Sequence, residues 1–179
     1  MSPFRIAAAL AALALPLNAA AAAEQSCFAP QEAQALITSF LPDIVRTLAE
    51  TCRPSLPTDA FLIRSGGALA DRYAPEADAA WANARPAMAK LIGKEGEIFS
   101  RLDDQTTRKL AAAGVAVEIG KDIQAKDCPM IDRILFALEP LPPANLSMLI
   151  GTIMEAVGRD DKQAKTGLTI CPPPGARAK

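Results

Sequence analysis

Residues 128–158 read CPMIDRILFALEPLPPANLSMLIGTIMEAVG. Pro129 suits a helix start, where the N–H it lacks has no intrahelical partner. Ile131, Ile134, Leu135 and Leu138 then recur at helical spacing. Pro140, Pro142 and Pro143 interrupt that helix. Beyond them Leu146, Leu149, Ile150, Ile153, Met154 and Val157 form the best amphipathic stripe in the chain, and Gly158 is placed to cap it. Two such stripes across a short break predict an antiparallel helix pair. The pair is expected to bury its apolar faces against each other and against an earlier helix carrying Phe40.

That earlier helix starts at Pro30. Leu36, Ile37, Phe40, Leu41, Ile44, Val45 and Leu48 keep its stripe running through Pro42 until about Cys52. The pattern fits one kinked helix or two helices meeting at Pro42. Pro57-Thr58-Asp59 offers a turn and an N-cap. Leu62, Leu69 and Tyr73 follow on one face, with Gly66-Gly67 as a weak point. Pro75 opens an alanine-rich segment with Trp81, Met88, Leu91 and Ile92, which Pro86 is expected to bend. Asp103 or Asp104 can cap the next helix. Residues 106–124 carry both a strand alternation (Val115, Val117, Ile119) and a helical stripe (Ala112, Val115, Ala116, Ile119, Ile123). A lone strand leaves its backbone unsatisfied, so helix is the reading. The fold class is all-α: a single compact multi-helix domain.

The first 23 residues read as a secretory signal peptide. Arg5 supplies the positive region, Ile6 to Leu17 the apolar region, and Ala21 and Ala23 an A-x-A cleavage site before Glu24. Pro16 and Asn18 interrupt the apolar run, so cleavage is favoured over anchoring. No stable transmembrane segment is expected afterwards. Residues 24–171 form the helical domain, and residues 172–179 form a flexible C-terminal tail. Removing residues 1–23 leaves 156 residues with net charge -2, enough to bury about 68–70% of the unfolded surface.

All four cysteines, Cys27, Cys52, Cys128 and Cys171, lie beyond the leader. An even count behind an export signal predicts two disulfides and a periplasmic or secreted location. A straight helix from Pro30 to Thr51 is about 33 Å long, whereas disulfide Cα atoms lie within about 7 Å. Cys27 and Cys52 flank that helix, so their pairing requires a hairpin at Pro42. The expected pairs are Cys27–Cys171, joining the chain ends, and Cys52–Cys128, clamping the first helix to the last pair.

Composition narrows the chemistry. The whole chain has 19 Lys and Arg against 20 Asp and Glu, and no His. This removes Ser-His-Asp and Cys-His nucleophilic catalysis and His metal ligation. No C-x-x-C, G-x-S-x-G or S-x-x-K motif occurs. Glu95 and Glu97 flank Gly96 and read as a solvated turn rather than an acid–base pair. Asp160-Asp161 reads as a polar turn without the spacing of a calcium loop. Met148 and Met154 read as core filling rather than copper ligands. Asn145-Leu146-Ser147 matches the N-glycosylation pattern. No catalytic, cofactor-binding or metal-binding residue is selected, and no cofactor is expected.

Leu91-Ile92-Gly93-Lys94-Glu95-Gly96-Glu97-Ile98 resembles the GXXG segment of KH domains, which clamps a nucleic-acid backbone between two helices. The resemblance implies RNA binding at Gly93 to Gly96. An alanine-rich helix stands where that family has a strand. The export signal, the disulfides and a pI near 5.5 oppose an RNA role. The segment reads as a glycine turn, and no nucleic-acid partner is expected. The leading functional expectation is a non-enzymatic, exported module that binds another protein or an envelope component. An apolar small-molecule carrier comes second and a carboxylate-dependent envelope hydrolase third.

Overall fold

The computed structural model describes residues 27–92, 101–159 and 170–171. The expected signal peptide, the glycine turn at 93–96 and the tail at 172–179 lie outside them. Among the described residues five α-helices form one compact set: α1 Pro30–Cys52, α2 Phe61–Ile92, α3 Asp104–Asp122, α4 Cys128–Leu138 and α5 Pro143–Arg159. Among the described residues the β structure is a single parallel bridge between Phe28 and Ile170.

Helix α1 is the centre of the fold because two of its sides are apolar. Leu36 and Phe40 pack with Trp81, Ala84 and Met88 of α2 and Ala111 of α3. Leu41 and Val45 pack with Leu69, Ala70 and Tyr73 of α2 and Leu146 of α5. Pro30 opens the helix, and the Ala29 N–H donates to Glu32 Oε2 at 3.0 Å. The helix runs unbroken through Pro42, which resolves the two readings of that position.

Helix α2 corrects the sequence reading. Pro75 and Pro86 sit inside one 32-residue helix and begin no new element. An interior proline costs about 3 kcal/mol. The buried face of Leu69, Ala70, Tyr73, Ala77, Trp81, Ala84 and Met88 continues across both prolines. Burying that face against α1 offsets the cost. Its small residues bring α2 close to α1: a Cβ on Gly66 would lie 3.4 Å from Ala49 Cβ. The expected cap also differs. Asp59 does not serve the start of α2; Asp132, from α4, accepts the Leu62 N–H at 2.7 Å.

Residues 104–122 are helical, as the stripe required. Ala112 and Val115 pack against the core, whereas Val117 is exposed, so the strand alternation had no physical content. Asp103 caps the helix by accepting from the Thr106 N–H at 3.0 Å.

Both predicted disulfides are present. Cys27 joins Cys171 with Cα atoms 5.0 Å apart. Cys52 joins Cys128 at 5.4 Å, tying the end of α1 to the start of α4. The Cys171 N–H donates to the Phe28 carbonyl at 2.8 Å beside the first of these. The Cys52–Cys128 bond is buried with Ala49 and Leu62. Two disulfides are consistent with an oxidising extracellular compartment.

The last two helices differ from expectation in how they pack. Leu135 and Leu138 of α4 and Leu146 and Ile150 of α5 join one core cluster over α1 and α2. The two helices thus lie on the same side of that pair. Yet α4 contacts chiefly α2, α5 chiefly α1, and contact between α4 and α5 is slight. Helix α5 also includes Gly158 rather than ending at it. No helix of the described residues is long and apolar enough to cross a membrane.

Candidate functional site

The stripes of α4 and α5 are wider than the core they feed. Ile131, Leu135 and Leu138 turn inward on α4, as do Leu146 and Ile150 on α5. Met130, Ile134 and Phe136 of α4 and Met148, Leu149 and Ile153 of α5 are exposed, each between 41% and 62%. Met130 and Ile134 are one turn apart on α4, and Leu149 and Ile153 one turn apart on α5, so each pair shares a side of its helix. Phe136 is partly covered by an edge contact with Phe61, ring centroids 5.7 Å apart. Single exposed apolar residues are ordinary, but here six large ones lie on two helices of one domain.

This face corrects part of the sequence reading. Ile134, Leu149 and Ile153, expected in core stripes, and Met148, expected as core filling, all point outward. Met130 and Phe136 were not singled out. Their signal was available in the count of apolar residues on α4, which exceeds what one side of an 11-residue helix can bury.

Specific contacts fix both helices. Asp132 holds the start of α2 from α4. Arg72 of α2 donates to the Glu139 carbonyl at 2.6 Å and pairs with its carboxylate at 3.4 Å. Tyr73 donates to the Leu141 carbonyl at 3.3 Å, and burial pushes its phenol above the ordinary range. On α5, Ser147 is fully buried; the Thr38 hydroxyl of α1 donates to it at 2.8 Å, and it donates to the Ala144 carbonyl at 3.0 Å. The Asn145-Leu146-Ser147 sequon therefore has its hydroxyl sealed inside a helix contact.

A second feature is a cleft of about 580 Å³ between α1, α2 and α3. Pro42, Ala74, Trp81 and Ala112 supply its apolar lining. Its carboxylates and arginines are engaged within the protein. Arg108 pairs with Asp78, Arg85 with Asp104, and Arg46 with Asp71 at 2.7 Å. These exposed pairs are each worth about 0–1 kcal/mol, and the first two hold α3 against α2. The cleft has the size a carrier requires but offers ion pairs rather than an apolar enclosure. Its carboxylates are already matched to arginines, which leaves no pair arranged for hydrolysis.

Glu95, Glu97, Asp160 and Asp161 lie outside the described residues. Among the described residues no group of three Cys, Asp or Glu side chains is arranged to hold a metal. Comparisons of the chain with protein-family models, with curated proteins and with solved structures find no match.

Proposed function

We propose that this chain is an exported, non-enzymatic helical module that binds another protein through the outer face of α4 and α5. The observation that carries the reading is the six large apolar side chains left exposed on these two helices. The leader-like residues 1–23 and the two disulfides support a periplasmic or secreted site of action. Absence of His and of free thiols among the described cysteines leaves few catalytic options, which favours binding over turnover.

The test compares capture by the oxidised protein and by a Met148→Glu/Ile153→Glu variant from the same envelope extract. Neither side chain is part of a buried cluster, so the variant is expected to keep its helical spectrum and both disulfides. Proteins retained by the parent and lost by the variant support the reading. Identical retention by both, or retention of nothing by either, would remove it.

A further inference from the structure

We propose that the Cys27–Cys171 disulfide is a redox clasp. A dithiol reductant opens it while Cys52–Cys128 and the helices stay intact, and opening uncovers an apolar patch centred on Phe28. The clasp is separate from the exposed residues of α4 and α5, because neither helix contributes to the cluster around Phe28.

The first observation is access. A thiolate breaks a disulfide only by reaching one of its sulfurs. Cys52 and Cys128 are 0% and 1% exposed, and Ala49, Leu62, Leu48 and Ile131 pack around them. Attack there has to wait until the core opens. Cys27 and Cys171 are each only half-buried, and both lie outside the helices. The same reductant therefore meets one sealed bond and one accessible bond.

The second observation is what the accessible bond holds. Beside it the Cys171 N–H donates to the Phe28 carbonyl at 2.8 Å, and Ile170 bridges Phe28. Phe28 is buried in a cluster with Leu36, Trp81 and Met88, and Ile170 packs against that cluster. One backbone hydrogen bond contributes little net stability by itself. Without the disulfide, Cys171 is tethered to Cys27 only through a sequence separation of 144 residues. Ile170 then leaves, and Phe28 loses its cover. Helices α1 and α2 stay packed through Leu41, Val45, Leu69 and Tyr73, which belong to a different cluster.

In the opening step one thiolate of the dithiol attacks a clasp sulfur. A mixed disulfide forms, and the other clasp sulfur leaves as a thiolate. The second thiolate of the dithiol then displaces the remaining protein sulfur. The dithiol departs as its own disulfide, and its two electrons and two protons end on Cys27 and Cys171.

The experiment treats the folded, oxidised protein with dithiothreitol in the absence of denaturant. Iodoacetamide traps free thiols at intervals, and mass spectrometry maps the labelled cysteines. Labelling of Cys27 and Cys171 is expected at least about a hundredfold faster than that of Cys52 and Cys128. The far-UV spectrum should be unchanged when only the clasp is open. Hydrogen exchange at the Cys171 amide should then be at least about tenfold faster. Fluorescence of an apolar-surface dye should exceed that of the oxidised protein. Cys27→Ser/Cys171→Ser is expected to reproduce both changes without reductant. Loss of both disulfides at one rate overturns the proposal, as does loss of helix together with the clasp. An open clasp that leaves exchange and dye fluorescence as they were overturns it too.

Discussion

Replacing Asp132 with Ala should destabilise the fold through a helix it does not belong to. Helix α2 starts at Phe61, and the Leu62 N–H in its first turn donates to Asp132 Oδ1 at 2.7 Å. The first N–H groups of a helix have no intrahelical acceptor. Losing a capping acceptor costs about 0.5–2 kcal/mol, typically about 1. The acceptor here is a carboxylate at a helix N-terminus, whose favourable dipole interaction adds about 0.3–1 kcal/mol. Asp132 is half-buried, so solvent screens part of this. The expected loss is about 1–2 kcal/mol, which for a domain of this size lowers Tm by about 3–6 °C. Asp132→Asn keeps a neutral acceptor and should lose about half as much. Asp59 is the cap that local sequence suggests, and Asp59→Ala should fall within about 0.5 kcal/mol of the parent. Urea titration followed by far-UV circular dichroism, with the slope unchanged, measures all three. A larger loss for Asp59→Ala than for Asp132→Ala would refute the reach-over cap.

Adjacent glycines in α2 should respond in opposite directions. Nothing lies within 4 Å of a Cβ built on Gly67, so Gly67→Ala should gain about 0.5–1 kcal/mol by helix propensity. Gly66 faces Ala49, so Gly66→Leu should lose about 1–3 kcal/mol by overpacking; paired thermal melts decide. The disulfides close sequence separations of 144 and 76 residues, and chain entropy assigns each a ceiling of about 4–5 kcal/mol. Because Cys52 and Cys128 are 0% and 1% exposed, Cys52→Ala/Cys128→Ala also opens a void and should cost more than Cys27→Ala/Cys171→Ala in chemical denaturation. Glu32 accepts from Lys90 Nζ at 2.6 Å, and that bond, with the Ala29 N–H, holds its carboxyl below the ordinary value of 4.5. A depressed folded-state pKa gives stability that is present above 4.5 and lost as pH falls through the folded value. Glu32→Gln should therefore be less stable than the parent at neutral pH. The gap should close in acid, as urea midpoints across pH will show.

The parts of the fold legible in the sequence were those set by helical spacing. The stripe from Leu36 to Leu48 fixed α1, and the stripe through Ala112 and Val115 decided helix over strand at 104–122. Helix length excluded a Cys27–Cys52 pair, because a 23-residue α1 keeps the two apart, but it did not choose between the two pairings that remain. Proline misled at Pro75 because its local cost is visible in sequence, whereas the α1 face that offsets it is not. Asp132 was invisible as a cap because its partner is 70 positions away. For the candidate face, sequence showed which residues of α4 and α5 are apolar. It did not show how wide a strip α1 and α2 would cover. That depends on where the two helices settle, and they settle beside α2 and α1 rather than against each other.

Helix α4 shows why that placement matters for binding. It has 11 residues, and an isolated helix shorter than about 12–15 residues is marginal in water. Apart from the Phe136–Phe61 contact its outer half adds nothing to the core, so packing chiefly from the inner half must hold it. The shortfall is met by links at both ends. Cys128 is bonded to Cys52 at the start, Asp132 meets the α2 N-terminus one turn later, and Arg72 grips the Glu139 carbonyl at the finish. Fixed this way, Met130, Ile134 and Phe136 need no partner to hold their helix in register. A contact surface held rigid before binding loses less entropy when a partner arrives. The same links predict that breaking Cys52–Cys128 should weaken any α4–α5 contact by more than direct charge substitution at Arg133, which sits on the outer side of α4 and takes no part in fixing it.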